Sequence, residues 1–275
     1  MSQIAIVNNA LKGIGKKIKK AFYNPYQKIE LSWTEVRVLK NLPEFNHNSI
    51  TLFHHKIFFH RRNEFLHGLN EIFIDEIYKT KLPEKVRIID CGAHIGLSVI
   101  YLKRICPSAF ITAFEPDEKN FDLLKQNIQS FQLQDVNLRK EAVWIANTEL
   151  NFSNEGTMAS KIETGKSPSG SKVKAIRLND IINEKIELLK LDIEGAEYKV
   201  MKDIENKLSL VENIFLEYHG NFYQNNELIE LLQILKRNQF TFYIKEAHPS
   251  YPTPFYRENT NRDYDIQLNI FCFRL

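Results

Sequence analysis

Apolar positions change their period along the chain, and the changes mark out its elements. Near the front, Ile4, Val7, Leu11, Ile14 and Ile18 recur at steps of three and four, one face of a helix with lysines mostly off it. Gly13 and Gly15 each weaken such a helix by about 1 kcal/mol. Residues 49–60 read as two short strands around a turn, and 64–79 as a helix with Phe65, Leu69, Phe73 and Ile77 at four-residue steps. After Pro83 the two periods alternate. Strands are predicted over 86–90, 110–114, 136–143, 188–192, 213–218, 240–245 and 266–273. Helices are predicted over 97–106, 119–131, 196–208 and 227–238. Such alternation predicts an α/β fold with a mainly parallel sheet and helices on both faces.

Two stretches break the rhythm. Residues 154–172 are rich in Gly, Ser, Thr and Lys, the composition of a loop or hairpin tip. Residues 247–264 hold Pro249, Pro252 and Pro254 among Tyr251, Phe255 and Tyr256. A loop that long is either a lid over a site or a surface insertion.

Composition sets limits on the whole. The 275 residues are 43% hydrophobic and 26% charged, enough for a sizeable core and wrong for a disordered chain. No apolar run reaches the ~18 residues of a spanning helix. Cys91, Cys106 and Cys272 are few, odd in number and far apart, which points to reduced thiols and a cytoplasmic protein. The net charge of +3 divides into +6 over the first 29 residues and −3 over the remainder. A basic amphipathic helix in residues 1–28 can lie on an anionic membrane, which would make the protein peripheral to the inner face. The other reading packs it on the domain with its lysines in water. A signal peptide is not expected, since the lysines follow the apolar stretch.

Four segments carry candidate chemistry. In VRIIDCGAHIG, residues 86–96, a strand runs into Asp90, and Gly92 lets the turn approach a ligand while Gly96 lets the next helix pack on the strand. Glu115 ends the second strand of the alternating region, where an acid can accept both hydrogen bonds of a ribose diol. His94 stands where a dinucleotide fingerprint needs its second glycine, so its Cβ obstructs a pyrophosphate; a P-loop is absent from the sequence. An adenosine-bearing cofactor without a pyrophosphate fits, and S-adenosylmethionine is one. In LLKLDIEGAEY, residues 188–198, Asp192, Glu194 and Glu197 cluster after the fourth strand, to bind substrate or metal or else to cap a helix. In IFLEYHG, residues 214–220, Glu217 and His219 share one side of the fifth strand and meet near Asp192. A histidine can accept a proton from an alcohol, so His219 is the candidate base, with Asp192 and Glu217 orienting it or the acceptor.

Together, VRIIDCGAHIGLSVIYLK, AFEPD and above all LLKLDIEGAEYKVM with its downstream EYH resemble the FkbM-type methyltransferases over roughly residues 65–273. Leu178-Asn179-Asp180 keeps only one of the two aspartates usual in that family's pattern. The resemblance implies a Rossmann-like class I methyltransferase fold: a mainly parallel seven-stranded sheet with an antiparallel last strand over 83–275. An N-terminal extension over 1–82 would comprise the basic helix, a short hairpin and a covering helix. It also implies S-adenosyl-L-methionine as cofactor and O-methylation of a sugar, glycan or natural-product hydroxyl. Carried over by motif, Asp90, Gly92, Ala93, His94 and Gly96 surround the methionine part, Glu115 with Pro116 holds the ribose, and Glu141-Ala142 lies by the adenine.

Other readings stay open. Asp192, Glu217 and His219 could hold Mg²⁺, as in metal-assisted methyltransferases of the catechol type; metal ligands are otherwise unassigned. Nucleic acid is not an expected partner, since the body is net negative and no Asn/Asp-Pro-Pro-Tyr string follows the fourth strand. A nicotinamide-dependent oxidoreductase is disfavoured by His94. A non-catalytic module that binds the cofactor or docks on membranes remains the rival of another class. The front of the chain is also long enough to cover the site or to join copies into a homo-oligomer.

Overall fold

The computed structural model describes residues 24–152, 171–247, 251, 253–256 and 263–275. The amphipathic pattern at the front, with its membrane reading, and most of the 154–172 and 247–264 stretches lie outside the described residues. The chain divides into two compact units, the first ending at Ile77 and the second running from Tyr78 to Leu275.

In the first unit a short 3-10 turn, Pro25–Ile29, precedes helix α1, Trp33–Asn41, which the periodicity did not predict. Its start is fixed by a capping box: the Ser32 hydroxyl accepts from the Glu35 backbone N–H while the Glu35 carboxylate takes the Ser32 N–H. Strands β1 (Asn48–Leu52) and β2 (His55–Phe59) form the expected antiparallel hairpin. Helix α2, Arg62–Gly68, widens into a π-helical turn over Leu69–Ile74. The helix expected over 64–79 thus stops five residues early, because Glu76 takes a left-handed backbone (φ 53°) that cannot continue it. Leu39, Leu52, Ile57, Phe59, Phe65 and Leu69 are buried in this unit.

The second unit opens with strand β3 (Arg87–Cys91), helix α3 (Leu97–Ile105), β4 (Phe110–Phe114), helix α4 (Glu118–Ser130) and β5 (Val136–Arg139). It continues through β6 (Ala142–Trp144), β7 (Thr148–Phe152), β8 (Ser171–Arg177) and β9 (Ile186–Leu191). Helix α5 (Glu197–Asp203), β10 (Val211–Gly220), helix α6 (Asn225–Arg237), β11 (Thr241–Glu246) and β12 (Ile266–Phe273) complete it. The central sheet has the order β11-β12-β10-β9-β3-β4-β5, parallel except for β12, which runs antiparallel to both neighbours. The strand predicted over 136–143 is in fact two. Its first half pairs with β4, and after Lys140 and Glu141 the chain changes sheets to pair with β8 beside β7. The polar break there, Arg139-Lys140-Glu141, is short and lies between two apolar stretches, so the segment reads as a single strand. The helix expected over 196–208 likewise tightens into a 3-10 turn, Glu205–Leu210, after α5.

Side chains alternate across each strand. On one face Ile89, Cys91, Leu189, Leu191, Ile214 and Leu216 join Val200 and Met201 of α5 and Leu231, Ile234 and Leu235 of α6 in a buried core. On the other face Asp90 lies opposite Lys190, and Lys190 opposite Phe215. Strand order reverses at β3, between β9 and β4. In a doubly wound sheet that switch point opens a crevice outside the carboxyl ends of the strands.

Candidate active site

The β3 turn shows why glycine stands at position 92. Its φ is +87°, and a Cβ there would lie 1.9 Å from the Asp192 carbonyl oxygen. Gly96, at φ +93°, opens α3, where a Cβ would press on Leu124 of α4. The Gly92 and Ala93 amides both donate to the Phe114 carbonyl, which fixes the turn against β4. His94 adopts a left-handed backbone (φ 49°) and donates its N–H to Glu115 Oε2 at 2.9 Å. Asp117 donates its N–H to Glu115 Oε1, also at 2.9 Å. Glu115 is buried, which pushes its carboxyl above the ordinary range against the pull of His94 and these two amides. A carboxylate can accept about four hydrogen bonds, so two positions remain for a ligand.

Asp90 is wholly buried; Ser98 donates to its Oδ2, and Lys190 Nζ lies 3.3 Å from its Oδ1. Lys190 is itself 2% exposed. Its ammonium donates to the Gly92 carbonyl at 2.8 Å and to Asp192 Oδ2 at 3.2 Å. Burial alone would lower the lysine's pKa, but Asp90 and Asp192 outweigh it and raise the value well above normal. One cation therefore joins the ends of β3 and β9. The sequence reading passed over Lys190, although its place two residues before Asp192, on the same face, was a usable signal.

Strand register assembles the rest. With Phe215 opposite Lys190, the alternation places Glu217 and His219 on the face that carries Lys190 and Asp192. Strand β10 is longer than predicted, so His219 belongs to the strand and pairs with Gln267 of β12. His219 is 6% exposed. Its Nδ1 lies 3.1 Å from Oε1 of Glu197, while Nε2 has Glu217 Oε1 at 3.5 Å and Glu194 Oε2 at 3.9 Å. Tyr264 packs against the ring and donates its hydroxyl to the Glu194 carbonyl. Burial works against a charge on His219, yet Glu197, Glu217 and Glu194 raise its pKa well above normal.

Glu197 holds this corner together. Fully buried in the first turn of α5, its carboxylate accepts the Ile193 and Gly195 amides besides facing His219. The intervening Glu194 has a left-handed backbone (φ 54°) and a half-exposed side chain. Burial, with help from Asp192, Glu197 and Glu217, pushes Glu194 up to about 7, against the pull of His219.

The predicted residues thus fall into two groups. Asp90, Gly92, Ala93, His94, Gly96, Glu115 and Pro116 line the ends of β3 and β4. Asp192, Glu217 and His219 gather at the ends of β9 and β10, joined by Glu194 and Glu197. Glu141 and Ala142 lie apart, where β5 gives way to β6; Glu141 pairs with Arg139 and with Lys174, the latter at 2.6 Å. Phe222 and Tyr251 stack on each other, while Tyr223 and Tyr256 are exposed. All three cysteines are free and buried.

This sheet order, with a glycine turn after its first strand and an acid ending the second, defines the class I methyltransferase fold. A model of the FkbM methyltransferase domain matches residues 90–242, and the chain belongs to the FkbM methyltransferase family. It is 28% identical over 198 residues to Methyltransferase 1 of Beauveria bassiana, covering 61% of this chain and 79% of that protein. It is 31% identical over 186 residues to Methyltransferase sdnD of Sordaria araneosa, covering 54% and 72%. Among solved structures, the Methyltransferase FkbM of Methylobacillus flagellatus KT shares the fold, with a TM-score of 0.50 at 15% identity. That likeness covers 74% of this chain and 47% of the other. Among the described residues no helix is long and apolar enough to cross a membrane.

Proposed function

We propose that the protein is an S-adenosylmethionine-dependent O-methyltransferase whose acceptor is a hydroxyl of a sugar, glycan or natural product. The observation that carries the cofactor is Glu115, whose carboxylate is held by two backbone amides and still has acceptor positions for a ribose diol. The turn fits: Gly92, at φ +87°, packs against the Asp192 carbonyl as only a glycine can, and His94 stands where a dinucleotide fingerprint needs its second glycine. Asp90, Gly92, Ala93, His94 and Gly96 would border the methionine part, and Glu115 with Pro116 the ribose. Glu141 and Ala142 would border the adenine, Glu141 only in competition with Arg139 and Lys174. The methyltransferase domain of this reading spans residues 83–275.

When bound, S-adenosylmethionine supplies an electrophilic methyl group with a neutral leaving group. The chain's own task is to place an acceptor oxygen in line with that methyl, exclude water and remove one proton; alignment in ideal cases contributes about 7 kcal/mol or more. Asp192, Glu217 and His219 are the catalytic residues of this reading. In it His219 takes the acceptor's proton, with Asp192 and Glu217 orienting the ring or the acceptor oxygen.

Calorimetry tests the cofactor: S-adenosylmethionine should bind in the micromolar range and NAD should not. Methyl transfer from labelled cofactor to a panel of sugar and natural-product alcohols tests the reaction. Tight binding of NAD with no binding of S-adenosylmethionine would refute the reading.

A further inference from the structure

We propose that Asp192, Glu194 and His219 bind one divalent transition-metal ion beside the acceptor position, with Glu197 as the positioning residue behind the histidine. One donor atom from each of the three lies within 4.8 Å of the other two. The histidine supports this independently of the acids. Its buried ring is anchored by Nδ1 on Glu197, which fixes the tautomer and aims Nε2 into the cluster. There the nearest acids, at 3.5 and 3.9 Å, stand beyond ordinary hydrogen-bond length. A carboxylate behind one imidazole nitrogen, with the other nitrogen directed at anionic oxygens, is the arrangement that orients histidine toward a metal.

Charge favours the same species. Asp192, Glu194, Glu197 and Glu217 bring four formal negative charges to this corner. Lys190 offsets one. Asp192 meets Lys190 through Oδ2, which leaves Oδ1 for an ion. A divalent cation brings the corner closer to neutral.

The donor set also selects among ions. Mg²⁺ demands an octahedron of oxygens and dehydrates reluctantly. Two carboxylates and an imidazole suit Mn²⁺ or its heavier neighbours better. Glu194, which sequence reasoning left between substrate and metal, thereby replaces Glu217 in the ligand set. Three protein ligands leave coordination positions open. The role of the ion, though not its binding, rests on the methyl-transfer reading. An acceptor hydroxyl on the ion loses its proton more readily. With Nε2 on the ion the base role falls to Glu217: the O–H bond breaks, the proton passes to Glu217, and the oxygen stays on the ion.

The test uses the full chain, stripped with chelator and titrated with MnCl₂ at pH 7.5 under electron paramagnetic resonance. One Mn²⁺ per chain should bind in the micromolar range and resist a tenfold excess of Mg²⁺. Pulsed spectra should show coupling to one imidazole nitrogen. Glu194→Gln, a half-exposed position that should fold normally, should weaken Mn²⁺ at least tenfold, and His219→Ala should abolish the nitrogen coupling. Glu197→Gln should alter that coupling and weaken Mn²⁺ about 10- to 100-fold. The proposal fails if no Mn²⁺ binds at millimolar concentration, if the bound ion shows no nitrogen coupling, or if folded Glu194→Gln binds Mn²⁺ as the wild type does. Calorimetry with S-adenosylmethionine on the stripped wild type separates the two readings. Cofactor binding without Mn²⁺ binding overturns the metal site alone, and Mn²⁺ binding without cofactor binding overturns the methyl-transfer reading alone.

Discussion

The ends of β3 and β4 and the ends of β9 and β10 are built from the same materials, carboxylates at strand ends, and they are finished to different degrees. At β3 and β4, Asp90 and Glu115 are buried, each already met by Ser98, Lys190 or backbone amides. At β9 and β10, Asp192, Glu194, Glu197 and Glu217 surround one imidazole with an excess of negative charge, and Glu194 is half exposed. On the proposed reading, the first region is a cradle whose acids are already paired. On the proposed reading, the second is completed by a cation or an acceptor. Lys190 belongs to both, and the sharpest test of the contrast begins there.

Lys190→Met should be the most damaging change. It leaves Asp90 buried without its cation and Asp192 without its neighbour, and breaking a buried pair from one side costs about 3–5 kcal/mol. Urea unfolding at pH 7.5 measures this. A loss below 1 kcal/mol would mean that water reaches Asp90 and that the cradle is not preformed. Gly92→Ala comes next. Its Cβ would collide with the Asp192 carbonyl in a backbone region that penalises side chains, for about 2–3 kcal/mol and a loss of cofactor binding. Wild-type binding in this variant would show that the turn has room the geometry denies it. Glu115→Gln should act on the cradle alone. It keeps the size but loses one charged acceptor, so S-adenosylmethionine should bind roughly 10- to 100-fold more weakly while Mn²⁺ binding is unchanged. Equal loss of both ligands would erase the distinction between the two regions.

The sequence made the cradle more legible than the acceptor corner, for physical reasons. Gly92, Gly96 and Glu115 act through backbone conformation and strand position, which local pattern records. The three-sided embrace of His219 depends on the register between β9 and β10 and on a helix turn that returns Glu197 under the ring. Pattern along one strand carries neither. Seven strands of the central sheet were readable because apolar runs alternate with helical periods. The small sheet of β6, β7 and β8 was not. Its first strand follows β5 after only Lys140 and Glu141, and the other two border the polar stretch over 154–172. Lys190 was hidden by its own type, since a lysine inside an apolar run reads as exposed until its two aspartates are seen.

Glu141 gives the smallest expected effect, and it tests where the cradle ends. Burial pushes its carboxyl up, but Lys174 and Arg139 more than offset this and hold it below the ordinary value. A carboxylate whose folded pKa is depressed adds stability above its unfolded value, near ~4.3, and the contribution disappears as pH falls through the folded value. Lys174 is largely exposed and Arg139 partly so, which limits the contribution to about 1 kcal/mol. Glu141→Gln should therefore unfold at slightly lower urea than wild type at pH 7, and the two should converge as the pH is lowered toward 4 and below. A gap that stays constant across that range would place the effect in packing instead of charge. Cofactor affinity carries the second reading. If Glu141 is committed to its two cations, the variant should bind S-adenosylmethionine within about threefold of wild type, about 0.65 kcal/mol. A tenfold loss would show that the carboxylate leaves its partners for the adenine amine, and the cradle would then extend to β6.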